Sequence, residues 1–234
     1  MTVLIGCGHG TRVPAGRRAM AEIRLGIAAA RPGLVVRAAQ VDVHKPALVD
    51  VVAALTAAHR PMVVVPLLLS TGYHVRVDIG AAVAASGGLA VAARPLGPDP
   101  LLVDVLEQRL AEAGCLPGEP VVLAAAGSRD PQAGADVGTI AGWLAERRGA
   151  PVTVGYLAAA KPSVADAVSA ARAAGRPVTV ASYLLAPGHF SGRLAEAGAD
   201  RITAPLGPHP LLAELALRRF DDAIHGHALL AVPA

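Results

Sequence analysis

The sequence predicts an α/β protein of two similar lobes, each an open parallel four-stranded sheet flanked by helices, with a cleft between them. Three observations lead there. The 234-residue chain is written twice: Gly10-Thr11-Arg12-Val13-Pro14 returns as Gly127-Ser128-Arg129-Asp130-Pro131, His44-Lys45-Pro46 as Ala160-Lys161-Pro162, and the run from Pro95 to Leu102 as Pro205 to Leu212. Each copy alternates short β-rich runs with Ala-rich stretches of helical length, the pattern of parallel βα units rather than hairpins. Apolar residues make up 53% of the chain, enough for a sizeable core with helices on both faces of a sheet.

In the first copy, apolar β-rich runs place strands at Val3 to Gly8, Leu34 to Asp42, Met62 to Leu69 and Leu89 to Ala93. Helices are expected to start near Ala15, Ala47, Arg76 and Pro100, where Pro, Asp or Ala-rich segments follow each strand. The second copy repeats the strands at Val121 to Ala125, Val152 to Leu157, Val178 to Leu184 and near Ile202, with helices near Gly134, Ser163, Ser191 and Pro210. Gly114 to Pro120 reads as the linker. It divides an N-terminal lobe, residues 1–114, from a C-terminal degenerate repeat, residues 120–234.

Composition excludes several classes of function. Aromatic residues are only 3%, so the stacking platforms of single-stranded nucleic-acid binders are missing. The formal charge of +3 comes from scattered arginines, which suits a small polyanionic ligand better than a phosphate backbone. Two cysteines without a CxxC pair indicate neither a disulfide framework nor a zinc ribbon, and fit a reducing cytoplasm. Met1 to Gly6 reads as a strand and not as a signal peptide, and no uncharged apolar run reaches membrane-spanning length. A soluble cytoplasmic protein, bound to neither membrane nor nucleic acid, is expected.

In parallel sheets ligands sit at the carboxyl ends of the strands. His9 lies one residue past the first expected strand, Asp42 ends the second, and the Ser70-Thr71-Gly72-Tyr73-His74 loop follows the third. The second copy carries Ala126, Ala158 and Phe190 at the positions of His9, Asp42 and His74. Two imidazoles and a carboxylate suit divalent iron, cobalt, nickel or zinc, and three ligands on loops leave open positions for exchange. Near-neutral imidazoles can also take up protons that a metal displaces.

Taken singly, each residue has an ordinary structural role open to it. His9 fits a turn, Asp42 the cap of a helix starting at Pro46, and His74 a capping or solvent position before Arg76 and Asp78; only their joint placement points to a metal. His44 reads as a local polar contact, and Cys7 as a buried inert thiol. His189, one position from the counterpart of His74, fits either a substrate contact or solvent. The Gly6 to Thr11 turn lacks the GxGxxG order and the P-loop Lys of nucleotide-binding turns. Arg12 and Arg76, with other arginines of this edge, could meet carboxylates.

At these positions the sequence resembles the sirohydrochlorin chelatase family, the class II tetrapyrrole metal chelatases of siroheme and cobalamin synthesis. The matching motifs are the strand-GHGTR turn at Gly8 to Arg12, the Val-Asp-Val-x-x-Pro segment from Val41 to Pro46, and Val-Pro-Leu-Leu-Leu-Ser-x-Gly-Tyr-His from Val65 to His74. The second half is similar to the degenerate repeat of the long form. The resemblance implies two chelatase-like lobes and insertion of Fe2+, Co2+ or Ni2+ into sirohydrochlorin, with release of two protons and no organic cofactor. His9 and His74 would handle metal and accept protons, Asp42 would complete the metal set, and Arg12, Ser70, Thr71, Gly72, Tyr73, Arg76 and His189 are candidates for the substrate. A monomer or homodimer is expected. A non-catalytic tetrapyrrole or metal carrier is the alternative, and a histidine phosphoryl-transfer enzyme is disfavoured because no Arg precedes His9-Gly10.

Overall fold

A computed structural model describes residues 1–70, 72 and 75–230, apart from the side chains of residues 75, 76, 174 and 227–230. The described chain forms two four-stranded sheets, each entirely parallel. In the first, β1 (Val3–Gly8), β2 (Val36–Gln40), β3 (Met62–Pro66) and β4 (Ala90–Ala92) lie in the order β2-β1-β3-β4. In the second, β5 (Val121–Ala125), β6 (Val152–Tyr156), β7 (Thr179–Tyr183) and β8 (Arg201–Ile202) repeat it as β6-β5-β7-β8. Every residue of the central strands β1, β3, β5 and β7 is buried, as both-face coverage demands, whereas the edge strands β2 and β6 are only partly covered.

Strand alternation sorts the core. Val3, Ile5 and Cys7 of β1 pack with Leu48 and Val52 of α2 (Leu48–Ala57) and with Ala82 of α3 (Gly80–Ala84). The even positions, Leu4, Gly6 and Gly8, face the other way, where Arg24 of α1 (Pro14–Ala30) fits against Gly6. Val122 and Ala124 of β5 pack likewise with Val164, Ala167 and Val168 of α6 (Val164–Ala171) and Leu194 of α7 (His189–Leu194). The helix expected near Arg76 begins as a π-helical turn, Val75–Ile79, before α3.

The expected division at residues 114–120 is not where the packing divides. The compact units are Met1–Leu96 with Pro208–Ala234, and Gly97–Gly207. The last helix of each repeat has changed places: α8 (Pro210–Leu230) packs on α1, β3 and β4, whereas α4 (Pro100–Glu112) packs on α5 (Pro131–Arg148) and β7. The lobes 1–114 and 120–234 therefore describe the sequence repeat but not the compact units.

The exchange is fastened symmetrically. Arg219 of α8 donates from Nε to the Pro95 carbonyl and from Nη2 to that of Leu96, both at 2.9 Å, and its residue is only 5% exposed. Arg109 of α4 donates from Nε to Pro205 at 3.0 Å and from Nη2 to Leu206 at 3.1 Å. In the first unit, Arg31 also grips Asp221 of α8 through a bidentate pair at 2.6 and 2.7 Å, and lies over the Phe220 ring.

The segment read as a linker is pinned inside the second unit. Glu119 is buried, pairs with Arg201 at 2.9 Å and accepts the Leu116 amide at 2.8 Å. Arg148 donates to the Leu116 carbonyl, and Arg176 to that of Gly118. Gly and Pro made this stretch look open, but a buried carboxylate with a cation and an amide on it marks an ordered loop.

Candidate functional site

His9 stands immediately after β1, and Asp42 two residues after β2, at the carboxyl edge of the first sheet. Because β1 and β2 are neighbours in register, with Gly8 opposite Gln40, the chain continues pairing past their ends: Val41 N donates to Gly8 O and Asp42 N to His9 O, both at 3.0 Å. Those bonds hold the backbones of the two candidate-ligand residues next to each other. Both residues are exposed, so an ion from solvent can reach them.

The turn around them is tightly specified. Gly10 has φ +105°, and a Cβ there would run into the Asp42 carbonyl oxygen. Val43 adopts the left-handed conformation at φ 72°, with its amide on Asp42 Oδ1 at 2.6 Å. His44 N donates to Asp42 O at 2.9 Å, and Thr11 N donates to His44 Nδ1 at 3.3 Å. His44 thus makes the local polar contact expected of it; burial, then Arg17 and Arg24, push its pKa down and favour the neutral acceptor form.

Beneath the edge lies a feature that the sequence did not disclose. Arg24, only 9% exposed, donates from Nε to Gly6 O at 2.8 Å, from Nη2 to Ala39 O at 3.3 Å and from Nη1 to Met20 O at 3.4 Å. It ties β1 to β2 just below the candidate ligands, and burial lowers its pKa. An arginine in an amphipathic helix reads as solvated; the available signal was Gly6, whose missing side chain leaves room for the Arg24 stem. Cys7 is buried, and its thiol is pushed up to about 12 by that burial, so it stays protonated and inert.

The third candidate ligand, His74, lies outside the described residues, as do Thr71 and Tyr73. Among the described residues no group of three His, Cys, Asp or Glu side chains could hold a metal ion, which leaves His9 and Asp42 as a pair. Ser70 and Gly72 are half-buried beyond β3 at the same edge. Arg76 falls within the π-helical turn, and its side chain is outside the description. Arg12 is exposed one residue after Thr11. His189 belongs to the second unit, exposed at the start of α7 with its ring edge-on to Phe190.

The second unit rebuilds the same turn without the ligands. Ala158 N donates to Ala126 O at 2.9 Å and Ala160 N to Ala158 O at 2.7 Å, matching the bonds of Asp42 and His44. Gly127, at φ +90°, cannot accept a Cβ because of the Ala158 carbonyl, and Ala159 repeats the positive φ of Val43. No helix among the described residues is long and apolar enough to cross a membrane.

Known proteins match both the fold and the repeat. A family model described as CbiX matches residues 3–113 and again residues 120–223. A sirohydrochlorin cobaltochelatase of Methanosarcina acetivorans is 28% identical over 123 residues, covering 47% of this chain and 95% of that protein. SirB from Bacillus subtilis with Fe3+ superposes with a TM-score of 0.83 at 23% identity, over 97% of each chain. CbiX, described as the terminal enzyme for biosynthesis of siroheme in denitrifying bacteria, gives 0.68 at 20% identity, over 94% of this chain and 99% of that one. The structural likenesses establish a shared fold.

Proposed function

Since the chain belongs to the CbiX family, matched in both of its halves, we propose that it inserts a divalent metal ion, Fe2+, Co2+ or Ni2+, into sirohydrochlorin. The observation that carries this reading is the asymmetric turn: one backbone built twice, with His9 and Asp42 on the first copy and Ala126 and Ala158 on the second. The relatives are named for sirohydrochlorin and cobalt, for siroheme, and for a bound iron, which fits a substrate metal drawn from this group.

The chemistry asks for three things from the protein. The metal must be held while its water leaves, so its ligands must be few and exchangeable; His9, Asp42 and His74 supply two imidazoles and one carboxylate with positions left open. Two pyrrole N–H protons must leave as the two metal–nitrogen charges are balanced, and His9 and His74 are the bases for them. The macrocycle carries many carboxylates, and Arg12 and Arg76 are among the arginines near this edge that can meet them. The exposure of His9 and Asp42 favours release over retention: a closed, saturated cage would keep the ion.

Anaerobic absorbance spectroscopy of sirohydrochlorin with Fe2+, Co2+ and Ni2+ in turn tests the reading. The expected result is metal insertion faster than the uncatalysed reaction for at least one of them, with no nucleotide added. Stoichiometric binding of the tetrapyrrole without any acceleration would instead identify a carrier.

A further inference from the structure

Both copies hold their strand-end turn with the same backbone bonds, but one tie occurs on the His9 side alone. There the Thr11 amide donates to His44 Nδ1 at 3.3 Å, across 33 residues of sequence; the equivalent position in the second copy is Ala160, which offers no side-chain acceptor. The side chain of Thr11 is already used, its Oγ1 accepting the Val13 amide at 3.2 Å, and Val13, as N-cap of α1, contributes no side-chain cap.

We propose that His44 is a positioning residue, whose Nδ1 holds the Thr11 amide and thereby sets His9 against Asp42 for metal exchange. This rests on the chelatase reading for its consequence, though not for its geometry. The bond joins the segment after β1 to the segment after β2, and each contains one candidate ligand: His9 lies two residues before Thr11, and Asp42 two before His44. The backbone bonds at Asp42 and His44 set the path of the chain in both copies, so the path alone does not require His44. What the imidazole adds is a second, side-chain link across the turn, present only where a metal must be presented in a fixed geometry. A ring nitrogen that accepts an amide proton has its lone pair occupied, so Nδ1 cannot ligate a metal while the turn is closed.

The test uses the full chain with His44→Ala and His44→Asn, the second because an Asn carbonyl oxygen can occupy the place of Nδ1. Three quantities are read: exchange of the Thr11 amide, Co2+ affinity without tetrapyrrole, and the rate of cobalt insertion. His44→Ala is expected to speed Thr11 exchange and to weaken Co2+ binding by about tenfold or more, with insertion falling in parallel, while His44→Asn restores most of all three. Wild-type Co2+ affinity in His44→Ala would overturn the proposal. So would failure of His44→Asn to rescue a folded protein, because the imidazole itself would then be needed. A wild-type chain that binds Co2+ with the expected His44 dependence but inserts none defeats the chelatase reading and leaves the positioning role standing.

Discussion

The turn after β1 and the turn after β5 share a backbone and differ in chemistry. Each has a positive-φ glycine lodged under a carbonyl, Gly10 under Asp42 and Gly127 under Ala158. Each passes an amide from the second strand's extension to the first, at 3.0 Å from Asp42 and 2.9 Å from Ala158. Only the first copy has an imidazole and a carboxylate at the matching positions, His9 and Asp42 against Ala126 and Ala158. The backbone of this turn therefore does not depend on those side chains: a duplicated scaffold keeps its turns for packing, while the candidate metal ligands stand on one copy.

The largest expected effect breaks this comparison on its reactive side. His9→Ala should lower metal insertion by about 100-fold or more, the scale of losing a general base, with the melting temperature nearly unchanged because His9 is exposed. Rates and thermal melts on one preparation check it. A matched pair of glycine substitutions separates scaffold from chemistry. Gly10→Ala and Gly127→Ala should each destabilise the fold by about 1–3 kcal/mol, shown as a lower urea midpoint, but only Gly10→Ala should also cost activity beyond its loss of folded protein.

A smaller effect is expected at the exchanged helices. Arg219→Ala and Arg109→Ala each strip two backbone carbonyls of a guanidinium donor. Each should cost about 2–3 kcal/mol, given the strength of hydrogen bonds to charged groups, and chemical denaturation should find the two losses similar. The smallest effect concerns acid. Asp221 has its pKa lowered by the Arg31 hydrogen bond, so its contribution is present above the unfolded carboxylate value and lost as pH falls through the lower folded value. The pair is more than a third exposed, so the loss should stay below about 1 kcal/mol. Comparing urea midpoints of wild type and Arg31→Met at pH 7 and pH 3 checks the sign, since the variant should lose less.

Much of the fold was legible because it is written in apolar runs. β1 and β5 fall on their expected residues, and the other central strands within a few, since buried parallel strands leave continuous Val-rich stretches. The exchange of α4 and α8 was not legible. Helical periodicity says which face of Pro100–Glu112 is apolar but not which sheet it covers, and the duplicated Pro-Leu-Gly-Pro segments that redirect the chain read only as loops. At the candidate site, His9 and Asp42 were singled out by their place at the carboxyl ends of neighbouring strands, and their backbones meet through the bonds that continue the β1–β2 pairing. Arg24 was missed because its burial depends on a space left by Gly6 in a different element.

A metal site on one copy only can be checked by anaerobic cobalt insertion into sirohydrochlorin with wild type, His74→Ala and Phe190→Ala in parallel. Wild type should insert cobalt above the uncatalysed rate, His74→Ala should lose that insertion and Phe190→Ala should largely retain it. Equal losses in the two variants, with both folded, would contradict a site on one copy only.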